Sequence, residues 1–507
     1  MQSGFRAAVL AATVAATTLA IGADQTLPSQ AGEVQLLLAN EFFAEGRFYD
    51  ALDAYQKALK APVPADARAA RSGIIQSALR VAEFDLARVE AEALVKASPL
   101  DPSALALSAD ALWASGLFDE AESRYRDALT EVPDLARGHH GMARSLAARN
   151  QLDNAMSEAQ LALKLSPRDL EIHHTVGAIF ERMHRYEEAA GAFSNYVNLL
   201  PNKDSSEKAD WSRSEIKFLR SFGQRVPFEM DPGSEDDTWT VDFRLVNEKV
   251  VVRAKVNDGS FQDFVVDTGA ENTIISKPTA QRLGVTPITY TLSAGVGDVG
   301  LRGLQLARMN SLELGTLKLR NVPCLIKDPP LRNLPVKEAE SLSPLVLGFS
   351  MIIDYRTKKI TFGKHLPPEA FDFELPLRLH RLATVRGMLD GKHPANFVVD
   401  TGGEVISIST ATASALSALG RPAPDRKIAL KVFGSSGWDR DAFLLPGVDL
   451  SFEAIKYTNF PVVVLNLNTP SALLGFQLGG IVGHRFLSKY RVGIDLERSV
   501  LRLKNVS

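Results

Sequence analysis

Asp267 lies in the stretch "FVVDTGAENTIIS" (264–276) and Asp400 in "FVVDTGGEVISIS" (397–409); nine of thirteen positions are identical, at an offset of 133. Two carboxylates at matched places are raw material for general acid–base chemistry. Two such groups within hydrogen-bonding distance cannot both ionise, so they share one proton and their apparent pKa values separate. The ionised member can then draw a proton from water while the protonated member polarises a carbonyl. No other chemistry announces itself: no G-x-S-x-G, H-E-x-x-H or phosphate-loop pattern occurs. Gly295, Gly297 and Gly300 fit G-x-G-x-x-G, but alternating, strand-like residues follow where a dinucleotide site needs a helix. They are expected at a hairpin tip.

The duplication extends beyond the two phrases. Val252-Arg253 and Val385-Arg386 keep the same offset of 133. Further on, "SPLVLGFSMIIDY" answers "GGIVGHRFLSKYRVGID", pairing Gly348 with Gly483 and Asp354 with Asp495. After about residue 238 the apolar pattern alternates with period two, and Gly and Asp-Gly turns separate short strands. Two all-β lobes are expected, at 238–366 and 371–507.

A strand ending in Asp-Thr-Gly, followed later by an apolar-apolar-Gly strand, resembles the lobe of the aspartic proteases, retropepsin-like or pepsin-like. The resemblance implies that each lobe donates one carboxylate. With both lobes on one chain, it implies a self-contained pseudo-dimer, consistent with a monomer, with Asp267 and Asp400 as the catalytic dyad. Thr268 and Thr401 would hydrogen-bond across the two loops, and Gly269 and Gly402 would let the loops approach. Gly348 and Gly483 would support those loops. A flap is expected over the cleft, which makes Gly295, Gly297, Phe433 and Trp438 the candidates for contact with substrate. Position four of the motif is Ala270 in one lobe and Gly403 in the other, so neither supplies the hydroxyl common in pepsin-like members. That absence predicts a pH optimum nearer neutrality than pepsin's, and an optimum below about 3 would contradict it. Six positions separate Gly348 from Asp354, against twelve from Gly483 to Asp495. The helix expected there therefore has room in lobe two ("HRFLSKY") and little in lobe one.

The elements before residue 223 have another period. Pro99, Pro133, Pro167 and Pro201 are each 34 apart. In step with them run Phe48, Phe84, Phe118, Leu152 and Tyr186, each followed three positions later by alanine: Ala51, Ala87, Ala121, Ala155 and Ala189. A small alanine lets paired helices approach, and the proline ends the second helix. One such pair cannot bury its own apolar face, so pairs stack into a solenoid. This resembles five tetratricopeptide repeats with a capping helix at 205–222, a solenoid spanning 33–222, and it implies a scaffold for a protein partner. His139-His140 and His173-His174 are also 34 apart, but no third ligand stands at metal spacing. They read as equivalent repeat positions, and no metal is expected. An acidic, Pro- and Gly-containing linker is expected at 223–237.

Bulk composition fits this reading. The 507 residues are 45% hydrophobic and 23% charged, and 57 basic against 60 acidic residues give a net charge of -3. That balance offers no footprint for nucleic acid and no basic face for a membrane. Residues 1–23 have the layout of a secretory signal peptide: Arg6, then an apolar Ala/Val/Leu run ending in small residues. Export to a periplasm or the exterior is expected, with an uncleaved anchor as the other outcome. Cys324 is the sole cysteine, among apolar neighbours, so no disulfide within the chain can form. The expected activity is an aspartic endopeptidase without cofactor acting on a peptide or protein substrate. A catalytically silent peptide-binding scaffold is the alternative.

Overall fold

A computed structural model describes residues 27–61, 66–232, 237–328, 340–421 and 428–506. The expected signal segment, 1–23, lies outside the described residues.

Among them, the N-terminal half is five antiparallel helix pairs and one further helix. The pairs are Leu27–Ala44 with Phe48–Lys60, Ala67–Arg80 with Phe84–Ala97, and Pro102–Ala114 with Phe118–Glu131. Ala136–Ala148 with Leu152–Leu165 and Leu170–Arg182 with Tyr186–Leu199 complete them, and Glu207–Arg220 caps the stack. Every second helix opens on the large residue of the repeat, and the alanine three positions on is fully buried in all five pairs. The last four of these helices end two residues before Pro99, Pro133, Pro167 and Pro201. The tight turn within each pair places one residue in the left-handed region: Gly46, Ala82, Gly116, Asn150 and His184, with φ between 58° and 77°. The array also bends back on itself. Arg80 of the second pair is ion-paired with Glu171 of the fifth, and Asn202 Nδ2 donates to Glu45 O at 2.9 Å.

The C-terminal half is strand-rich and two-lobed. Six strands make one sheet shared by the lobes, in the order Thr238–Val246, Lys359–Gly363, Ser350–Asp354, Tyr490–Asp495, Val500–Asn505 and Phe373–His380. The seam between lobes is its central pairing, Met351 opposite Ile494 and Ile353 opposite Val492. Each lobe then repeats one arrangement. The strand leading to the Asp pairs in parallel with a short later strand, Gln262–Val266 with Glu340–Leu342 and His393–Val399 with Gly480–Val482.

That register corrects one expectation. Val266 is opposite Leu342 and Val399 opposite Val482, so the counterpart of Gly483 is Ser343, and Gly348 lies five residues further on in a turn. Ser343 and Asp354 are then eleven positions apart, against twelve for Gly483 and Asp495, and the lobes are almost equal in length. Matching by apolar type failed because the lobe-one strand is polar. Its Glu340 carboxylate accepts from Ser276 N at 2.5 Å, Ser276 Oγ at 2.7 Å and Thr279 Oγ1 at 2.7 Å, holding the start of the helix Lys277–Arg282. A short helix, His484–Leu487, does follow Gly483, while turns fill the same place in lobe one.

The linker expectation also changes. Phe228 is buried in the core of the lobes, and Glu229–Met230 pairs with Arg320 and Leu319 as an added edge strand.

The solenoid is seated on both lobes. On lobe two, Trp113 and Phe118 share an apolar cluster with Leu382, Phe476 and Leu478. Gln477 N donates to Ala114 O at 2.7 Å, Arg378 Nε to Asp119 Oδ1 at 2.8 Å, and Asn150 Nδ2 to Leu496 O at 3.2 Å. On lobe one, Phe218, Leu219 and Phe222 pack with Leu304, Leu306 and Leu325. Cys324 is fully buried within lobe one, and burial pushes its thiol up to about 12.

Candidate active site

The backbone delivers each aspartate the same way. Asp267 N donates to Leu342 O at 2.9 Å and Asp400 N to Val482 O at 3.0 Å, so both carboxyls leave their strand ends at equivalent points. The two loops are then knitted together by the threonines. Thr268 Oγ1 donates to Val399 O at 2.6 Å and Thr401 Oγ1 to Val266 O at 2.7 Å. Each hydroxyl also accepts from the other threonine's backbone N–H, at 3.0 and 3.1 Å. Both threonines are fully buried, so breaking either bond would strand a polar group.

The glycines explain how close the carboxyls come. A Cβ on Gly269 would sit 2.5 Å from Asp400 Cγ, and one on Gly402 would sit 2.7 Å from Asp267 Cγ. Each carboxyl therefore lies over the other loop, in the space a side chain would need. The two carboxyls are therefore neighbours, the charge of Asp267 acting on Asp400, and both aspartates are half-buried.

Their surroundings differ. Asp267 Oδ1 accepts from Gly269 N at 3.0 Å, and its Oδ2 accepts from Ser341 Oγ at 3.3 Å. Asp400 Oδ1 accepts from Gly402 N at 2.8 Å and Gly403 N at 2.9 Å, but its lobe offers Ile481 where Ser341 stands in the other. The Asp400 carboxyl is raised to about 7, chiefly by burial and then by the charge of Asp267, against the pull of the Gly403 and Gly402 N–H groups.

Two hairpins, one from each lobe, meet at their tips. Strands Pro287–Ala294 and Leu301–Leu314 carry a tip with Gly295 and Gly297, the latter at φ +139°. In lobe two, Val432–Gly434 pairs with Gly437–Asp439, setting Phe433 across from Trp438 with ring centroids 5.6 Å apart. Ser436 N donates to Val296 O at 2.9 Å, Val299 N to Ser436 O at 3.0 Å, and Trp438 N to Asp298 Oδ1 at 3.3 Å. All four flap candidates are therefore at one junction, Phe433 and Trp438 half-buried against each other. Gly348 alone among the expected site residues is elsewhere.

The sequence reading missed a second set at the lobe junction. Arg381 Nε donates to Glu271 Oε2 at 2.5 Å, from the first hairpin of lobe two to the fourth residue past Asp267. The equivalent residues at the 133 offset are Glu248 and Glu404, a like-charged pair, and Arg485 bridges them at 3.3 and 2.6 Å. The same offset that exposed the duplication would have found all four. The solenoid adds Glu181 and, on its cap, Glu215. Burial raises Glu181 to about 7, with Arg381 opposing and Glu271 reinforcing, and raises Glu215 to about 8, with Glu181 reinforcing and Arg381 opposing.

The histidine pairs serve the repeats. His139 Nε2 and His173 Nε2 meet Pro133 O and Pro167 O at 2.7 and 3.0 Å, the same bond one repeat apart. Among the described residues no group of three His, Cys, Asp or Glu side chains is placed to hold a metal ion.

Comparison with known proteins agrees on the C-terminal half. The aspartyl protease family matches twice, over residues 252–351 and 385–478, once in each lobe. No curated protein matches the chain. Among solved structures, a thermophilic tetratricopeptide-repeat protein of Thermus thermophilus is 20% identical, covering 37% of this chain and 99% of its own, with a TM-score of 0.32. MamA from Desulfovibrio magneticus is 15% identical, covering 35% and 99%, with a TM-score of 0.26. The pilF protein of Pseudomonas aeruginosa is 14% identical, covering 38% and 93%, with a TM-score of 0.27.

Proposed function

We propose that this protein, with its two lobes of aspartyl protease type, is an aspartic endopeptidase whose dyad is Asp267 and Asp400. The observation that carries the reading is the placement of each carboxyl over the other lobe's loop, with Thr268 and Thr401 locking the two loops together. With the proton on Asp400, the charge of the pair falls to Asp267. Asp267 takes a proton from a water molecule as its oxygen attacks the scissile carbonyl carbon, and Asp400 gives its proton to the carbonyl oxygen. The product of that step is a tetrahedral gem-diol with no bond to the enzyme. Its collapse breaks the C–N bond as Asp267 passes its proton to the leaving nitrogen and Asp400 takes one from a gem-diol hydroxyl, so the dyad again shares one proton. The substrate lies extended under the hairpins, pairing its backbone with theirs.

Three features of wider scope belong to the same reading. The leader at 1–23 supports export, which N-terminal sequencing of the mature protein and cell fractionation would check. The solenoid offers a surface for a protein partner. The Asp400 environment supports work near neutral pH.

The deciding experiment is a peptide-library digest across pH, with and without a statine-type transition-state mimic, on the wild type and Asp267→Asn. Such mimics bind tightly only to an assembled dyad. Cleavage that is blocked by the mimic and falls by about a thousand-fold in the variant is the expected result. A wild type that binds peptides yet cleaves none would establish the silent scaffold instead.

A further inference from the structure

The two hairpins that meet at their tips are held very differently. The first continues the sheet of lobe one, because Leu301–Leu314 also pairs with Leu317–Lys327 and with Lys249–Val256. The solenoid's capping helix packs along its strand Pro287–Ala294, and the lobe-two helix Asn468–Leu474 touches that strand too. Ile216, Leu219 and Phe222 share one buried cluster with Leu304, Leu306 and Ile288. Arg308 in the same hairpin lies over the Phe222 ring at 5.0 Å and donates to Ser221 O at 3.0 Å.

The second hairpin, 432–439, is a two-stranded sheet of its own, separate from the large one. Its base is tied by Leu430 N to Ala442 O at 2.8 Å and by Asn466 N to Asp439 Oδ2 at 2.8 Å. A lone two-stranded hairpin is marginal in water. Its tip is steadied by the three bonds to the first hairpin described above.

We propose that the solenoid is a positioning element of the cleft: its capping helix fixes the first flap, so that substrate enters and product leaves by movement of the second flap alone. The proposal rests on the endopeptidase reading for what passes through the cleft, though not for which flap moves. Opening from the lobe-two side breaks the three tip bonds, the Arg440–Asp298 ion pair at 3.7 Å and the packing of Val432 against the cluster of Leu467 and Phe476. Opening from the lobe-one side must break the same bonds, pull Phe222 and Leu219 away from Leu304 and Leu306, and strip Arg308 from its carbonyl. The repeat half thus acts on the cleft without touching the reacting atoms.

Hydrogen exchange on the full-length protein tests this without needing turnover. Hydrogen-bonded amides of 432–439 should exchange at least about ten-fold faster than those of 287–294 in the wild type. Phe222→Ala should speed exchange in 287–294 and leave 432–439 unchanged. With a cleaved peptide, that variant should raise KM about five-fold while kcat stays within about two-fold, as expected when closure over bound substrate is weakened. Arg308→Gln gives the same reading if Phe222→Ala does not fold. Equal protection of the two hairpins in the wild type would overturn the proposal, as would slower exchange in the second or no response of 287–294 to either variant. A protein that cleaves nothing yet shows the expected exchange pattern would sink the endopeptidase reading and leave the unequal flaps standing.

Discussion

Lobe one and lobe two begin from nearly the same thirteen residues and end in unlike surroundings. Lobe one gives its aspartate a hydroxyl from Ser341; lobe two gives Asp400 two backbone N–H groups and an isoleucine. Lobe one turns Glu248 toward the junction where lobe two turns Arg381. Lobe one's hairpin packs against the solenoid's capping helix, and lobe two's is a separate two-stranded ribbon bonded to the tip of the first. Two symmetric carboxyls would share a proton evenly. Unequal neighbours instead bias it, and here burial and the charge of Asp267 raise the Asp400 carboxyl.

The harshest way to probe that asymmetry is to neutralise each aspartate in turn. Asp267→Asn and Asp400→Asn should both lower kcat/KM by about a thousand-fold or more, measured on a common peptide. They should part on stability. The raised pKa of Asp400 means its stabilising contribution is complete below the unfolded carboxylate pKa, near 4, and is lost as pH rises through about 7. Asp400→Asn removes that loss, so its unfolding temperature should exceed the wild type's by roughly 5 °C at pH 8 and not at pH 4. The wild-type profile follows from the same group. Activity should decline as pH rises through about 7, when Asp400 gives up its proton, and an optimum in strong acid would contradict the assignment.

Much of this was legible in the sequence because it repeats. An alanine that must be small, a proline that must end a helix and an Asp-Thr-Gly that must turn recur at fixed spacing, and spacing survives without an alignment. What was not legible depended on residues whose type carries no signal alone. Ser341 and Ser343 stand where the other lobe has Ile481 and Gly483, so a search for apolar-apolar-Gly settled on Gly348 instead. Phe228 stood in a polar, acidic stretch and was hidden by its neighbours, although it is the residue that fastens that stretch to lobe one. The seating of the solenoid could not be read at all. Asp119, Asn150 and Phe222 each meet a partner more than eighty positions away, and no periodicity connects them.

The seating supplies the next contrasts, smaller in effect. Asp119→Ala would leave the buried guanidinium of Arg378 without its carboxylate, and should cost on the order of 2 kcal/mol in denaturant unfolding. Because it loosens the solenoid from lobe two, it should leave first-flap exchange unchanged, unlike Phe222→Ala. Glu215 lies between Glu181 and Arg381, with Tyr186 and Glu271 close to the same group. Its raised pKa contributes stability below about pH 4 that is lost as pH rises through about 8. Glu215→Gln should therefore lose less stability than the wild type between pH 6 and 9, by about 2 °C in the unfolding midpoint.

The finest test concerns one hydroxyl. Ser341 donates to the oxygen of Asp267 that its own loop leaves unbonded, and a hydrogen bond to a charged carboxylate favours the charged form. Ser341→Ala removes it. The rate at the optimum should fall only about two- to three-fold, since at 3.3 Å the bond is a long one. The converse change completes the comparison. Ile481→Ser offers lobe two the hydroxyl it lacks, and should pull the Asp400 carboxyl down, moving the alkaline side of the profile toward lower pH. If Ile481→Ser leaves the alkaline side in place, that side is not set by the Asp400 carboxyl.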